Sequence, residues 1–402
     1  MTRILILYSS LGSGHVSAAK ALHDAFLHEP NVEVLSEDAL KYTSSIYRNA
    51  VTQIYEQLSV KVPQLYKAFY EGSDVDDLEK SLDNNLAWAK IERPFFRRLG
   101  KMVKDASPDA IVCVQQIPSR FLQLLEQEDE VSCPQYVVIT DTIAHSTWIN
   151  YGVSRYFLPN DLSVNFLVQR GVDRSMLQVT GIPVKLEIMQ PKSKPEMRKQ
   201  HDLPLDIPVV TLFGGGLNPK RVHFMVSNLL EHLESGTLIV AAGRNKELLD
   251  DLADLTDSPT VKLRKVGMID YVDDLIVSSD LIITKAGGLI TSEILARGTP
   301  MLIVDPIPGQ EEQNADVIAA AGAGIQLRLL EMVTPAVQYL LKHPDRLNEM
   351  RESALELGQP RAALNIADFI LNHWQADRNR KDQQKAKAVS QASSDLTETH
   401  AN

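Results

Sequence analysis

Three segments of this chain gather residues able to hold and act on a polar, anionic ligand. In Leu11-Gly12-Ser13-Gly14-His15-Val16-Ser17 two glycines precede an imidazole. Glycine lets a backbone approach a ligand closely, and a helix that follows aims free N–H groups at it. A neutral imidazole, whose ordinary pKa lies near cytosolic pH, can take a proton from an alcohol, which makes His15 a candidate general base. The bland alternative is a histidine that only caps the loop; its place directly after a Gly-x-Gly turn favours chemistry. The second segment, Phe213-Gly214-Gly215-Gly216-Leu217-Asn218, suits a diphosphate, because backbone amides and a helix dipole stabilise negative charge. The third is an ordered series: Thr284-Lys285-Ala286-Gly287-Gly288, then Glu293 on a helix, then Pro308-Gly309-Gln310-Glu311-Glu312-Gln313-Asn314. A carboxylate at Glu293 can accept both hydroxyls of a ribose, and Gln310 and Glu311 can bond a polyhydroxylated ligand. Alone, Glu293 would read as a helix-surface acid; the series makes the binding role preferable.

These segments need strands behind them and helices after them. The apolar runs Ile4–Tyr8, Val32–Leu35, Ala110–Val114, Tyr136–Thr140, Val209–Phe213, Leu238–Ala242, Leu281–Thr284 and Met301–Val304 are continuous rather than alternating, as in parallel strands covered on both faces. Helical patterns between them predict a doubly wound α/β architecture. The stretch from Pro183 to Pro208 is rich in proline and charge, and the strand, glycine-turn, helix pattern restarts after it. The expectation is two Rossmann-like domains facing across a cleft: residues 1–185, a linker over 186–207, a second domain over 208–375 whose last helix (Asn365 to Trp374) could cross back, and a disordered tail over 376–402.

The 402 residues are more than one core usually accommodates (about 250–300), and the net charge of −11 argues against a nucleic-acid partner. Two cysteines, with Cys113 inside an apolar strand run, fit a reducing cytosol and no disulfide framework. The start, Met1 to Tyr8, reads as a first strand rather than a signal peptide, and no stretch is apolar enough to span a bilayer.

The glycine–histidine turn, the Lys285-Ala286-Gly287-Gly288 segment with Glu293, and Pro308-Gly309-Gln310-Glu311 together resemble the GT-B glycosyltransferases of family 28. The likeness is greatest to the monogalactosyldiacylglycerol synthases and processive diacylglycerol glucosyltransferases, and covers roughly residues 1–375. Thr140-Asp141-Thr142-Ile143-Ala144-His145-Ser146-Thr147-Trp148 and the segment Tyr55–Tyr70, with Lys61, Pro63, Leu65, Tyr66 and Tyr70, resemble that lipid branch; the Tyr/Leu/Phe pattern serves equally as a helix pair packed on the sheet. The resemblance implies an inverting, metal-independent hexosyltransferase with no cofactor beyond its co-substrate, UDP-glucose or UDP-galactose, and 1,2-diacylglycerol as acceptor. It implies His15 as base, with Asp141 or His145 orienting it or touching the acceptor. For the donor it implies Gly14, Gly215, Gly216, Lys285, Gly287 and Gly288, with Met268 and Ile269 at uracil, Glu293 at ribose and Gln310 and Glu311 at the hexose. The acid that plant members carry before their glycine loop is absent from Tyr8-Ser9-Ser10-Leu11. Asp74-Val75-Asp76 imitates a metal-binding Asp-x-Asp but follows no strand, and is expected to be surface charge.

A lipid acceptor calls for an anionic-membrane surface on the inner face of the cell membrane, touched peripherally. Lys90–Lys104 offers Phe95, Phe96, Leu99, Met102 and Val103 on one helical face among basic residues that include Arg97 and Arg98. The same face could be core for a helix leading into Ala110–Val114, a use the pattern somewhat favours. Trp148, Tyr66 and the tail cations Arg378, Arg380, Lys381, Lys385 and Lys387 are further acceptor or membrane candidates. The alternatives are an isoprenoid-linked or soluble acceptor, a nicotinamide oxidoreductase with Glu37 or Asp38 as ribose acid, and a non-catalytic nucleotide-sugar sensor.

Overall fold

A computed structural model describes residues 1–61 and 63–375, with the side chains of 54–61 and 63 left aside. The expectations attached to Tyr55, Lys61, Pro63 and the tail cations lie outside these. The first half runs β1 (Thr2–Tyr8), α1 (Ser13–Phe26), β2 (Val32–Asp38), α2 (Ser45–Lys61), α3 (Pro63–Ser73), α4 (Leu78–Glu92), α5 (Arg97–Ala106), β3 (Ala110–Cys113), α6 (Gln116–Gln127), β4 (Gln135–Val138), β5 (Val153–Leu158), α7 (Asp161–Gln169) and β6 (Leu177–Val179). After α8 (Lys194–Gln200) the second half runs β7 (Val209–Phe213), α9 (Pro219–His232), β8 (Gly236–Ala241), α10 (Lys246–Asp251), β9 (Val261–Val266), α11 (Val272–Ser278), β10 (Leu281–Thr284), α12 (Gly288–Arg297), β11 (Met301–Val304), α13 (Gln310–Ala320), β12 (Gly324–Leu327), α14 (Val333–Lys342) and α15 (Pro344–Leu357). A last helix, α16, covers 362–375.

Each half holds a six-stranded parallel sheet, ordered β2-β1-β3-β4-β5-β6 and β12-β11-β10-β7-β8-β9. The winding reverses between β1 and β3 in the first sheet and between β7 and β10 in the second. Ligands of open α/β sheets bind at such reversals, outside the carboxyl ends of the strands. The turn ending at His15 follows β1, the triple glycine follows β7 and the Lys285–Gly288 turn follows β10, so the sheets place all three at reversals.

Except for the partly buried edge strand β2, the continuous apolar runs are strands buried on both faces, and Cys113 is buried in β3. Four strands lack that signal. β6, β9 and β12 lie at sheet edges, where one side needs no apolar cover, and β9 is accordingly Val-Lys-Leu-Arg-Lys-Val. Inner strand β5 carries Arg155, whose guanidinium lies 5.7 Å from the centre of the Phe369 ring. That ring belongs to α16, which buries Ala363, Ile366, Ala367, Ile370 and Leu371 against Ile4, Ile6 and Val112 of the first sheet, and Tyr136 Oη lies 2.9 Å from His373 Nδ1. The chain thus ends its described course on the domain where it began. Segment 186–207 is tied to the second half: Lys192 pairs with Asp273 at 2.7 Å and Arg198 with Asp280 at 2.6 Å.

Candidate active site

His15 stands in the first turn of α1, whose N-cap Gly12 has φ 87°, a backbone shape that favours glycine. Its Nδ1 lies 2.9 Å from the Val114 carbonyl oxygen, just past β3, and 3.3 Å from Thr140 Oγ1, past β4. A carbonyl only accepts, so Nδ1 carries the proton and Nε2 is left basic. Burial lowers the His15 pKa to about 4, against the opposing pull of the Val114 carbonyl. The ring is therefore neutral through the physiological range. Neither Asp141 nor His145 bonds to it among the described residues; a backbone carbonyl fixes its tautomer.

His15 lines a cavity of about 260 Å³, shared with Asp141, His145, Trp148, Tyr66, Tyr70 and, from the other half, Gln310. Asp141 accepts from Trp148 Nε1 at 3.2 Å, and burial raises its carboxyl to about 6. His145 Nε2 lies 3.0 Å from the Tyr70 carbonyl oxygen, and its Nδ1 accepts from Thr147 N at 3.1 Å; burial lowers its pKa. Two buried polar atoms on this cavity's residues, Tyr70 Oη and Gln116 Oε1, find no partner among the described residues. Buried polar groups are ordinarily bonded, so unsatisfied ones beside a cavity mark places for a polar ligand.

On the donor side, β7 ends in Gly214–Gly216 and α9 begins with Pro219 behind the cap Asn218, whose side chain accepts from Arg221 N. A methyl group on Gly216 would stand 2.6 Å from Lys285 Cε, so this turn lies directly against the lysine that follows β10. Lys285 Nζ is 2.9 Å from Glu311 Oε1, and Glu311 Oε2 accepts from Ile307 N at 2.8 Å. Glu293, on α12, is 7 % exposed and has no hydrogen-bond or ion-pair partner among the described residues; burial raises its carboxyl to about 7. A buried acid without a partner among the described residues is a functional signal. Met268 is exposed beyond the carboxyl end of β9, with Ile269 half-buried beside it.

The halves meet at these turns. A Cβ on Gly288 would lie 2.2 Å from the Thr140 carbonyl oxygen, one on Gly14 would lie 3.7 Å from Leu289 Cβ, and Thr142 N donates to Asn314 Oδ1 at 2.8 Å. At Gly288, expected to face the donor, the close approach of the two halves leaves no room for a side chain. Gly287 lies beside Glu311, where an added Cβ would be 3.6 Å from Oε1.

Three expectations need correction. Phe96, expected at a membrane or acceptor surface, is fully buried and stacks on Phe121 at 5.0 Å, because α5 turns its apolar face, with Leu99 and Val103, onto the first core. Phe95, Arg97 and Arg98 remain exposed. Asp74 is not surface charge: it is half-buried, receives Arg170 Nη1 at 2.8 Å and Nη2 at 2.6 Å, and accepts from Ser146 N at 2.8 Å. Asp38 is unsuited to a ribose, since its side chain accepts from Leu40 N and Ser10 N at 3.0 and 3.3 Å. The sequence reading passed over Gln115 and Gln116, a polar pair directly after an apolar strand and hence a usable signal. It also passed over the Val114 carbonyl, for which no side-chain signal exists.

Known proteins share this arrangement. The model of the monogalactosyldiacylglycerol (MGDG) synthase family matches residues 15–184, and that of the glycosyltransferase family 28 C-terminal domain matches residues 209–366. The processive diacylglycerol beta-glucosyltransferase of Bacillus pumilus is 26 % identical over 385 residues, 94 % of this chain and 97 % of its own. Its namesake from Bacillus subtilis is 26 % identical over 389 residues, 96 % and 99 % of the two chains. Among solved structures, Acinetobacter baumannii MurG superposes with a TM-score of 0.60 at 15 % identity, over 92 % of this chain and all of that one. The UDP-GlcNAc 2-epimerase from Neisseria meningitidis bound to UDP-GlcNAc gives 0.60 at 14 % identity, with the same coverage. The fold is GT-B. The chain thus carries an MGDG synthase domain followed by a glycosyltransferase family 28 C-terminal domain.

Proposed function

We propose that the protein moves a hexose from a UDP-sugar, UDP-glucose or UDP-galactose, to the free hydroxyl of 1,2-diacylglycerol, giving a β-glycosyl diacylglycerol. One observation carries this reading: His15 and Gln310 line one cavity although they come from different halves. The uracil lies at Met268 and Ile269, the ribose on Glu293, the diphosphate on the Gly215–Gly216 amides beside Lys285, and the hexose on Gln310 and Glu311. His15 Nε2 takes the acceptor's hydroxyl proton. The freed oxygen bonds to C1 as the bond from C1 to the diphosphate oxygen breaks, and UDP leaves with that electron pair. A single displacement turns an α-linked donor into a β-glycoside. Leaving-group charge is met by amides, the α9 dipole and the Lys285 ammonium, with no resident cofactor. The resemblance of the relatives' names to this chemistry supports the lipid acceptor.

The acceptor then arrives from the cytosolic membrane face. No helix among the described residues is long and apolar enough to cross a membrane. Trp88, Ile91 and Phe95 are exposed at 56 %, 63 % and 38 %, beside exposed Arg97, Arg98 and Lys101. Apolar tips among cations suit peripheral contact with an anionic surface.

The test is incubation with diacylglycerol vesicles and labelled UDP-glucose or UDP-galactose, then lipid chromatography and determination of the anomeric linkage. A labelled β-glycolipid from either donor is expected; no labelled lipid from both overturns the proposal.

A further inference from the structure

Helix α3 belongs to the first half, yet its side chains reach the turn before α13 in the second. Lys67 Nζ lies 2.7 Å from Glu312 Oε2 and 3.6 Å from Glu71 Oε1. The same Glu312 oxygen accepts from Gly309 N at 3.1 Å, which closes the first turn of α13. Tyr70, one turn further along α3, lays its ring on Gly309: a Cβ there would be 2.7 Å from Tyr70 Cδ1. Gly309 has φ 90° and ψ −110°, a shape open essentially to glycine. Tyr70 is itself held from behind, since its carbonyl lies 3.0 Å from His145 Nε2 and its ring centre 4.5 Å from that imidazole.

We propose that Lys67 and Tyr70 are positioning residues for the donor sugar. Through Glu312 and Gly309 they hold the Gln310–Glu311 turn in its hexose-gripping shape, so the acceptor-side helix sets donor-sugar affinity. This rests on the reading of Gln310 and Glu311 as hexose ligands. The physical need is plain. Gly309 has no side chain with which to cap α13, and Glu312 folds back to accept from the Gly309 N–H. A carboxylate that accepts from both an amide and an ammonium is confined to one rotamer, and the bond to Lys67 supplies that confinement. The ring on Gly309 blocks the turn from swinging toward the first half. Without these contacts, ordering of the turn falls to the sugar and weakens its binding.

The experiment uses the full chain on diacylglycerol vesicles with whichever UDP-sugar labels the lipid. Lys67→Met is expected to raise KM for the UDP-sugar roughly fivefold, with kcat and the inhibition constant of UDP, which lacks the hexose, changed less than about twofold. Lys67→Arg should recover most of the loss. Glu312→Gln keeps an acceptor for Gly309 N but loses the ion pair, so the double variant Lys67→Met/Glu312→Gln should be no worse than the poorer single one. An unchanged KM, an equal rise in the UDP constant, or additive effects overturn the proposal. Gln310→Ala separates this from the underlying reading. If it leaves KM for the UDP-sugar unaltered, the hexose assignment fails; if it raises KM while Lys67→Met does not, only the positioning role fails.

Discussion

The two halves repeat one plan, a strand, a glycine turn and a helix at the reversal of a parallel sheet, yet put it to opposite uses. The turn after β1 presents a side chain, His15, pinned by the Val114 carbonyl. The turn after β7 presents only backbone, with Lys285 lying against Gly216. In each half burial also drives a titratable group assigned to the chemistry toward its neutral form: His15 down to about 4 and Glu293 up to about 7. For a base that takes a proton from an alcohol, neutral is the working form. For a carboxylate that accepts two ribose hydroxyls, neutral is the wrong form. The same desolvation therefore prepares the first half and leaves the second dependent on pH.

The largest expected effect tests the first half alone. His15→Ala should lower transfer by roughly two to four orders of magnitude and leave UDP binding intact, read as an undiminished thermal shift with UDP. Loss of the UDP shift as well would mean that His15 serves the donor rather than the acceptor.

Next in size is the pH dependence of the second half. Below about 7 the Glu293 carboxyl holds its proton, and binding UDP must release it. Affinity for UDP, and kcat/KM for the UDP-sugar, should rise about tenfold per pH unit up to near 7 and level off above it. His15, neutral already above about 4, adds no limb in that window. Glu293→Gln should weaken UDP and abolish the limb; a limb that survived in this variant would reassign it to another group, Asp141 first.

The smallest effect concerns the backbone seat. Gly216→Ala would press its methyl on Lys285 and shift that ammonium from Glu311. A several-fold loss of UDP affinity, measured by titration, is expected, with the His15 environment unchanged. An equal loss of acceptor binding would show the two turns to be less independent than their separate strands suggest.

Much of this site was legible before any coordinates. Glycine turns after apolar runs, a histidine in one of them and the Lys285–Glu311 series are local patterns, and local patterns survive in sequence because backbone geometry and helix dipoles act within a few residues. Seven of the eight strands read from apolar runs have two covered faces and the eighth, β2, is an apolar edge strand, while the edge strands β6, β9 and β12 escaped because an edge strand is free to be polar. Phe96 was placed among the membrane candidates for a related reason. The spacing that makes α5 amphipathic says that Phe96, Leu99 and Val103 share a side, but not whether that side meets lipid or Phe121.

The chain's residue types and spacing determined by themselves that there would be two nucleotide-style folds, where their turns lie and which side chains could act. Only the tertiary structure decided what those side chains face. His15 is oriented by the carbonyl of Val114, 99 residues away, and Lys67 meets Glu312 across 245 residues. Such contacts leave no periodicity, because they join segments far apart in the chain, within one sheet for His15 and between the two halves for Lys67, and the approach that sets them is a property of packing rather than of any one segment.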